Sequence, residues 1–112
     1  MAAGRYNIVV DQGSDFALQF TVKSDGSATN LAGYSARAQL RERPHTGTLA
    51  ATFTCTIVNA SAGTIKMALT NETTKAITPK KYYYDLEIYT TNDAAVSRLL
   101  QGEALVSPEV TR

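Results

Sequence analysis

The sequence contains few of the residues that carry catalysis, metal binding or disulfide bonding. Its 112 residues include one cysteine, one histidine and no tryptophan. Because Cys55 has no second cysteine to pair with, no internal disulfide forms, and folding does not require an oxidising compartment. The sequence also has no glycine-rich phosphate loop and no grouping of nucleophile, base and orienting residue. We therefore expect no enzymatic activity, no cofactor and no metal site.

Charge and hydropathy are balanced, which argues against nucleic-acid and membrane partners. The formal net charge is +1 and charged residues make up 19% of the chain, so no broad basic surface is predicted. No apolar run approaches the roughly 18 residues that span a bilayer, and residues 1–5 lack the apolar region of a signal peptide. These features predict a protein that folds in a cytoplasm without a nucleic-acid or membrane partner.

About seven stretches of alternating apolar and polar residues fill the chain from Tyr6 to Val106, with turn residues between nearly all of them. Such stretches, spaced by about 10 to 15 residues, are typical of a small all-β sandwich or barrel. The clearest strand places four apolar side chains on one face: Phe16, Leu18, Phe20 and Val22. We predict one β-sandwich domain over residues 1–112, with about seven antiparallel strands, an N-terminal arm at 1–5 and a C-terminal tail at 107–112.

Three local features of the second half carry specific expectations. Residues 73–77 are predicted to form one helical turn, which Pro79 ends by restricting the residue before it. The next strand opens Tyr-x-Tyr, as at the corner before strand F of immunoglobulin-like sandwiches, where a tyrosine hydroxyl bonds back to the backbone. Either Tyr82 or Tyr84 fits that role, with an ordinary tyrosine-rich strand as the alternative. Gly102 interrupts the last stretch and predicts a β-bulge.

The few residues with reactive side chains each have a plain structural interpretation. Cys55 falls on the apolar side of an alternating stretch, so we expect a buried, unreactive thiol. His45 lies in a polar loop without a second histidine, which predicts a solvated residue rather than a ligand or base. Asp85 and Glu87 share the outer face of one strand, where a paired-carboxylate site is conceivable. We expect instead that both belong to a solvated polar face.

Six short segments of the sequence resemble a known group of proteins. They are YNI at 6–8, QGSDF at 12–16, NLAGYSARAQLR at 30–41, YDLEI at 84–88, VSRLLQG at 96–102 and PEVTR at 108–112. Together they are similar to short virion structural proteins of tailed bacteriophages, which in turn resemble the N-terminal immunoglobulin-like domain of phage baseplate upper proteins. The resemblance covers almost the whole chain and implies an immunoglobulin-like β-sandwich in a virion protein.

The outer strand faces and the C-terminal tail have features of an assembly surface. The faces hold much Thr, Ala and Tyr, and Tyr is enriched at interfaces because it is rigid, large and amphipathic. In the tail, Pro108 favours an extended backbone that would lay Val110 and Arg112 along a neighbour, where a guanidinium suits a carboxylate. The residues that we predict at an assembly interface are Tyr83, Tyr89, Arg41, Arg43, Pro108, Val110 and Arg112.

These inferences predict a non-enzymatic structural component of a tailed-phage virion, assembled in the bacterial cytoplasm. A tail, baseplate or fibre-attachment protein is the first expectation, in a homo-oligomer or multi-copy ring that contacts other virion structural proteins. A capsid decoration protein that cements the head shell is the alternative. A further alternative is a carbohydrate-binding β-sandwich with Tyr83 and Tyr89 as an aromatic platform, although the lack of tryptophan weighs against it.

Overall fold

The computed structural model describes residues 4–24, 26–44 and 47–110. Over these ranges the chain is mostly strand, with one short helix and one 3-10 turn. The elements are β1 Gly4–Arg5, β2 Ile8–Asp11, β3 Phe16–Thr21, β4 Lys23–Ser24, β5 Ser27–Ala28, β6 Ser35–Arg41, β7 Leu49–Asn59, β8 Thr64–Leu69, α1 Asn71–Lys75, β9 Lys81–Tyr89, the 3-10 turn Thr91–Asp93 and β10 Val96–Ser107. Each predicted alternating stretch contains a strand, and the helix begins at Asn71 rather than at residue 73.

Most strands form one curled sheet in the order β1-β10-β9-β6-β7-β8-β3, with β2 also paired to β10. The long strand β7 makes the curl, because its first half pairs with β6 and its second half pairs with β8. The inward side chains from both ends of the sheet meet in one apolar cluster. The fold is therefore a β-sandwich whose two layers share a strand, which confirms the predicted fold class.

The pairing is antiparallel except at the N-terminal edge. There β1 and β2 run parallel to β10, with Gly4 opposite Leu100 and Ile8 opposite Ala104. Alternation along a strand does not encode the direction of its neighbour, so the sequence pattern gave no sign of this pairing. Gly4 and Arg5, which fall within the predicted N-terminal arm, are thus strand residues at the sheet edge.

The core consists of the inward rows of the alternating strands. Its largest side chains with less than 2% exposure are Val10, Leu31, Leu40, Ile65, Met67, Leu86 and Val106. Cys55 is partly buried against this cluster, and burial raises the pKa of its thiol to about 11. The thiol is therefore protonated at neutral pH, as expected for an unreactive cysteine, although it is less deeply buried than predicted.

Hydrogen bonds from two tyrosines fix the entry into β9. The Tyr82 hydroxyl donates to the backbone oxygen of Thr78 at 2.6 Å, which confirms the predicted corner. The Tyr84 hydroxyl donates to the backbone oxygen of Tyr6, and burial raises the pKa of Tyr84 to about 12. Both hydroxyls thus remain donors at neutral pH, one to the segment that precedes its own strand and one to the connection between β1 and β2.

Gly102 does not mark a bulge, contrary to the prediction. The register of β10 against β9 shifts between Arg98 and Leu100, whereas Gly102 pairs regularly with Tyr84. A side chain at Gly102 would collide with the backbone of Tyr6. Glycine is required here because the N-terminal strand passes against β10 at this position.

Candidate assembly groove

The outer face of β6, β9 and β10 is built by strand alternation. On β9, Leu86 points into the core, while Tyr83, Asp85, Glu87 and Tyr89 occupy the other face and are partly buried. Strands β6 and β10 flank β9 on both sides and bring further polar side chains beside this row. The outer face is therefore a polar surface three strands wide, backed by the apolar core.

A groove of about 770 Å³ lies on this face, and we call it the outer groove. Its polar and charged lining consists of Arg5, Arg37, Gln39, Arg41, Thr52, Tyr83, Asp85, Glu87, Arg98 and Gln101. Clefts that bind ligands have volumes of about 300 to 1,000 Å³. The outer groove is thus large enough to hold a short segment of another molecule.

The carboxylates of the outer groove are held in ion pairs with arginines on neighbouring strands. Arg37 Nε lies 2.9 Å from Glu87, and the Arg37 guanidinium also covers the Tyr89 ring at 4.3 Å. Arg98 lies 3.3 Å from Asp85. Burial raises the pKa of Asp85 above its ordinary value, and the charge of Arg98 opposes that shift. Asp85 and Glu87 are therefore less solvated than expected, because β6 and β10 place arginines next to them.

Two arginines of the groove have no such partner among the residues that the structure describes. Arg41 donates from Nε and Nη2 to the Gln39 side-chain oxygen at 3.2 and 2.8 Å, and from Nη1 to the Gly47 backbone oxygen at 3.0 Å. Arg5 lines the opposite side of the groove from the edge strand β1. Among the residues that the structure describes, neither arginine forms an ion pair with a carboxylate.

The predicted assembly residues fall into separate places. Arg41 and Tyr83 are direct cross-strand neighbours, and both line the outer groove. Tyr89 lies at the far end of β9 on the same face, beneath Arg37. Arg43 is exposed in the loop after β6 and is not part of the groove lining.

The predicted tail lies at the other end of the sheet from Tyr89. Ser107 still belongs to β10, and the backbone nitrogen of Glu109 donates to the Gln12 side chain at 3.0 Å. Pro108 is exposed and Val110 is 95% exposed. Arg112 lies outside the described residues, as does His45. The tail is thus attached to its own domain as far as Glu109, and its assembly role stays a prediction.

Several groove residues were missing from the predicted set. Arg37 and Gln39 precede Arg41 at alternate positions of β6, and that outward polar row was visible in the sequence. Arg5 was not detectable in this way, because its place depends on pairing with Gln101, which lies far along the chain. Arg98 joins the groove through the antiparallel pairing of β10 with β9.

Residues 4–24, 26–44 and 47–110 contain neither a cluster of metal-ligand side chains nor a membrane-length helix. No three His, Cys, Asp or Glu side chains in these ranges lie close enough together to hold a metal ion. In the same ranges, no helix is long and apolar enough to cross a membrane.

Comparison with protein-family models gives a match over nearly the whole chain. Residues 3–106 match the family model of the LtfC-like β-sandwich domain. The match supports a phage-associated β-sandwich, without identifying a baseplate upper protein specifically. Among curated proteins, none matches the chain.

Proposed function

Since the chain belongs to the LtfC-like family of β-sandwich domains, we propose that it is a non-enzymatic structural component of a tailed-phage virion. Within the virion we assign it to the tail, as a baseplate or fibre-attachment protein. The observation that carries this proposal is the family match, which spans residues 3–106 and therefore nearly all of the fold.

The outer groove supports this proposal as the assembly surface. Tyrosine and arginine are over-represented among the residues that dominate binding energy at protein interfaces. Here Tyr83 and Arg41 are adjacent on the groove surface, and the rigid sheet beneath them limits the entropy lost on binding. The proposed partners are other virion structural proteins, with several copies of the chain in a ring or other homo-oligomer.

The two alternatives differ in how the outer face would be used. A head-decoration protein would use the same groove against the capsid shell. A carbohydrate-binding protein would need open aromatic rings, yet Arg37 covers Tyr89 at 4.3 Å and the Lys81 ammonium lies 5.8 Å from the Tyr83 ring. These contacts favour a protein partner over a sugar.

Electron cryo-microscopy of purified virions, with gold-labelled antibody against the chain, tests the proposal. We expect label at the tail, at the baseplate or where a fibre attaches. Label spread over the head shell would replace the tail assignment with capsid decoration. Absence of the protein from purified virions, judged by mass spectrometry, would overturn the structural role altogether.

A further inference from the structure

We propose that the outer groove binds an extended acidic segment of a neighbouring virion protein, clamped at two points by Arg5 and Arg41. The inference rests on the proposed structural role and names the chemistry of the partner. The outer groove keeps a net positive charge after each of its two carboxylates is paired with an arginine, and this charge identifies the partner's chemistry.

The internal ion pairs leave two arginines free to meet a partner. Asp85 and Glu87 are the carboxylates that line the groove, and each contacts an arginine of its own, Arg98 and Arg37 respectively. Two more arginines line the groove without an ion pair among the described residues. The unneutralised charge is therefore positive, and carboxylates are the groups on a protein partner that complement it.

Arg41 is already held in a fixed orientation. An arginine has five N–H donors, of which three are used here by Gln39 and Gly47. One donor remains on each terminal nitrogen, which suits a carboxylate that binds across the end of the guanidinium. Because the side chain is already restrained, little further conformational entropy is lost when it binds.

Arg5 is the second contact point of the clamp, and strand pairing sets its distance from Arg41. It pairs with Gln101 on β10, Gln101 pairs with Asp85 on β9, and the next strand is β6, which carries Arg41. Three strand spacings of about 4.8 Å separate the two arginines across the sheet, and Arg41 lies two residues along β6 from Gln39, the residue opposite Asp85. The two backbones are therefore about 16 Å apart, a distance that an extended chain covers in about four to five residues. The occupant is therefore a segment that crosses the strands with acidic residues about four positions apart.

Titration of the full chain with two synthetic peptides tests this arrangement. The first peptide consists of serine and threonine with glutamates at its second and sixth positions. The second has the same composition with its two glutamates adjacent. Two-dimensional ¹H–¹⁵N NMR spectra at low ionic strength, where exposed charges are weakly screened, report both the affinity and the residues perturbed.

We expect the spaced peptide to bind roughly fivefold tighter than the adjacent one, because both of its ends engage the protein. The perturbed signals should include the side-chain Nε–H groups of Arg5 and Arg41. Equal binding of the two peptides, or perturbations outside the groove, would overturn the two-point clamp.

Charge-matched variants distinguish specific binding in the groove from nonspecific electrostatic attraction to the whole chain. Arg5→Gln with Arg41→Gln should abolish the preference for the spaced peptide. Lys23→Gln with Lys66→Gln removes the same charge at exposed positions outside the groove and should preserve it. Arg5→Gln alone, at an exposed site, gives the same test if the double variant folds poorly. Equal losses in the groove and control variants would refute the proposal.

Titration with oligothymidylate tests a nucleic acid as the alternative anionic partner of the groove. Weaker perturbation of the groove by this nucleic acid than by the spaced peptide supports an acidic protein segment, and stronger perturbation would overturn it. Failure of the proposed virion role can be told apart from failure of the groove proposal, because peptide binding is measured on the isolated chain. A protein that binds the spaced peptide but is absent from virions would keep the groove assignment and lose the proposed function.

Discussion

Strands β9 and β3 both alternate apolar and polar residues, yet their apolar rows reach different depths. Strand β9 pairs on both sides, with β6 and β10, whereas β3 pairs with β8 alone among the strands of the described residues. The inward residues of β9 are buried: Tyr82, Tyr84, Leu86 and Ile88. The inward residues of β3 are only partly buried: Phe16, Leu18 and Phe20. A central strand is thus sealed from water, and an edge strand with the same pattern is not.

The outer faces of the two regions differ as well. The face of β9 carries the outer groove, with arginines and carboxylates arranged in ion pairs. On β3, the outward residues Ala17, Gln19 and Thr21 are exposed and uncharged. A strand that is supported by neighbours on both sides therefore carries the charged surface, and rigid elements position binding groups accurately.

Replacing one inward leucine on each strand tests the difference in burial depth most directly. Leu86→Ala should lower the free energy of unfolding by about 4 kcal/mol, because Leu86 is 0% exposed and its loss leaves a closed cavity. Urea unfolding followed by circular dichroism measures the change. A loss below about 1 kcal/mol would contradict the central position of β9.

The matched substitution on the edge strand should cost less. Leu18→Ala is expected to lower the free energy of unfolding by about 2 kcal/mol, because the partly buried site opens toward solvent and leaves no sealed void. The same urea experiment gives the value. Equal costs at Leu18 and Leu86 would show that both strands are buried to the same depth, and the comparison would fail.

The corner that leads into β9 should contribute a smaller amount. Tyr82→Phe removes the hydroxyl that donates to Thr78, so the free energy of unfolding should fall by about 1 kcal/mol. Phe20→Leu on β3 is a control that removes no hydrogen bond. An unchanged stability of Tyr82→Phe would mean that the corner bond adds nothing beyond solvation.

The end of the tail should have the smallest effect on stability. Deleting residues 110–112 is expected to change the free energy of unfolding by less than about 0.5 kcal/mol, because Val110 is 95% exposed. Deleting residues 107–112 should cost more, since it removes Ser107 from β10 and the bond between Glu109 and Gln12.

The shorter deletion also tests the predicted assembly arm. We expect the chain without residues 110–112 to fold and to be missing from purified virions, as judged by gel electrophoresis. Normal incorporation would leave the outer groove as the sole proposed contact surface.

Local patterns in the sequence were sufficient to predict the strands and the tyrosine corner. The alternation around Leu86 predicts a buried row because side-chain direction has a period of two along any strand. The bond from Tyr82 spans four residues, so it too is a short-range feature. The adjacency of Tyr83 and Arg41 is different, because β7, β8 and α1 lie between β6 and β9 along the chain and no local pattern specifies that pairing.

Features that depend on distant pairing were not predictable. The partner of Arg5 is Gln101, and no local signal connects them. A glycine within a strand often marks a bulge, so the sequence predicts one at Gly102, whereas the real constraint there is the close passage of the Tyr6 backbone. The depth of Leu18 likewise depends on the absence of a second neighbour beside β3 in the described sheet, which alternation does not express.

The parallel edge formed by β2 and β10 has a mechanical consequence. The described chain enters this edge at β1, near Gly4, and continues into β2, whereas β10 ends at Ser107, so a pull between the two ends of the chain slides β2 and β10 past each other. Their hydrogen bonds are evenly spaced along the parallel pair, and Ile8 to Asp11 are all paired with β10. The bonds are therefore loaded together in shear rather than opened one at a time, so this edge resists tension along the chain.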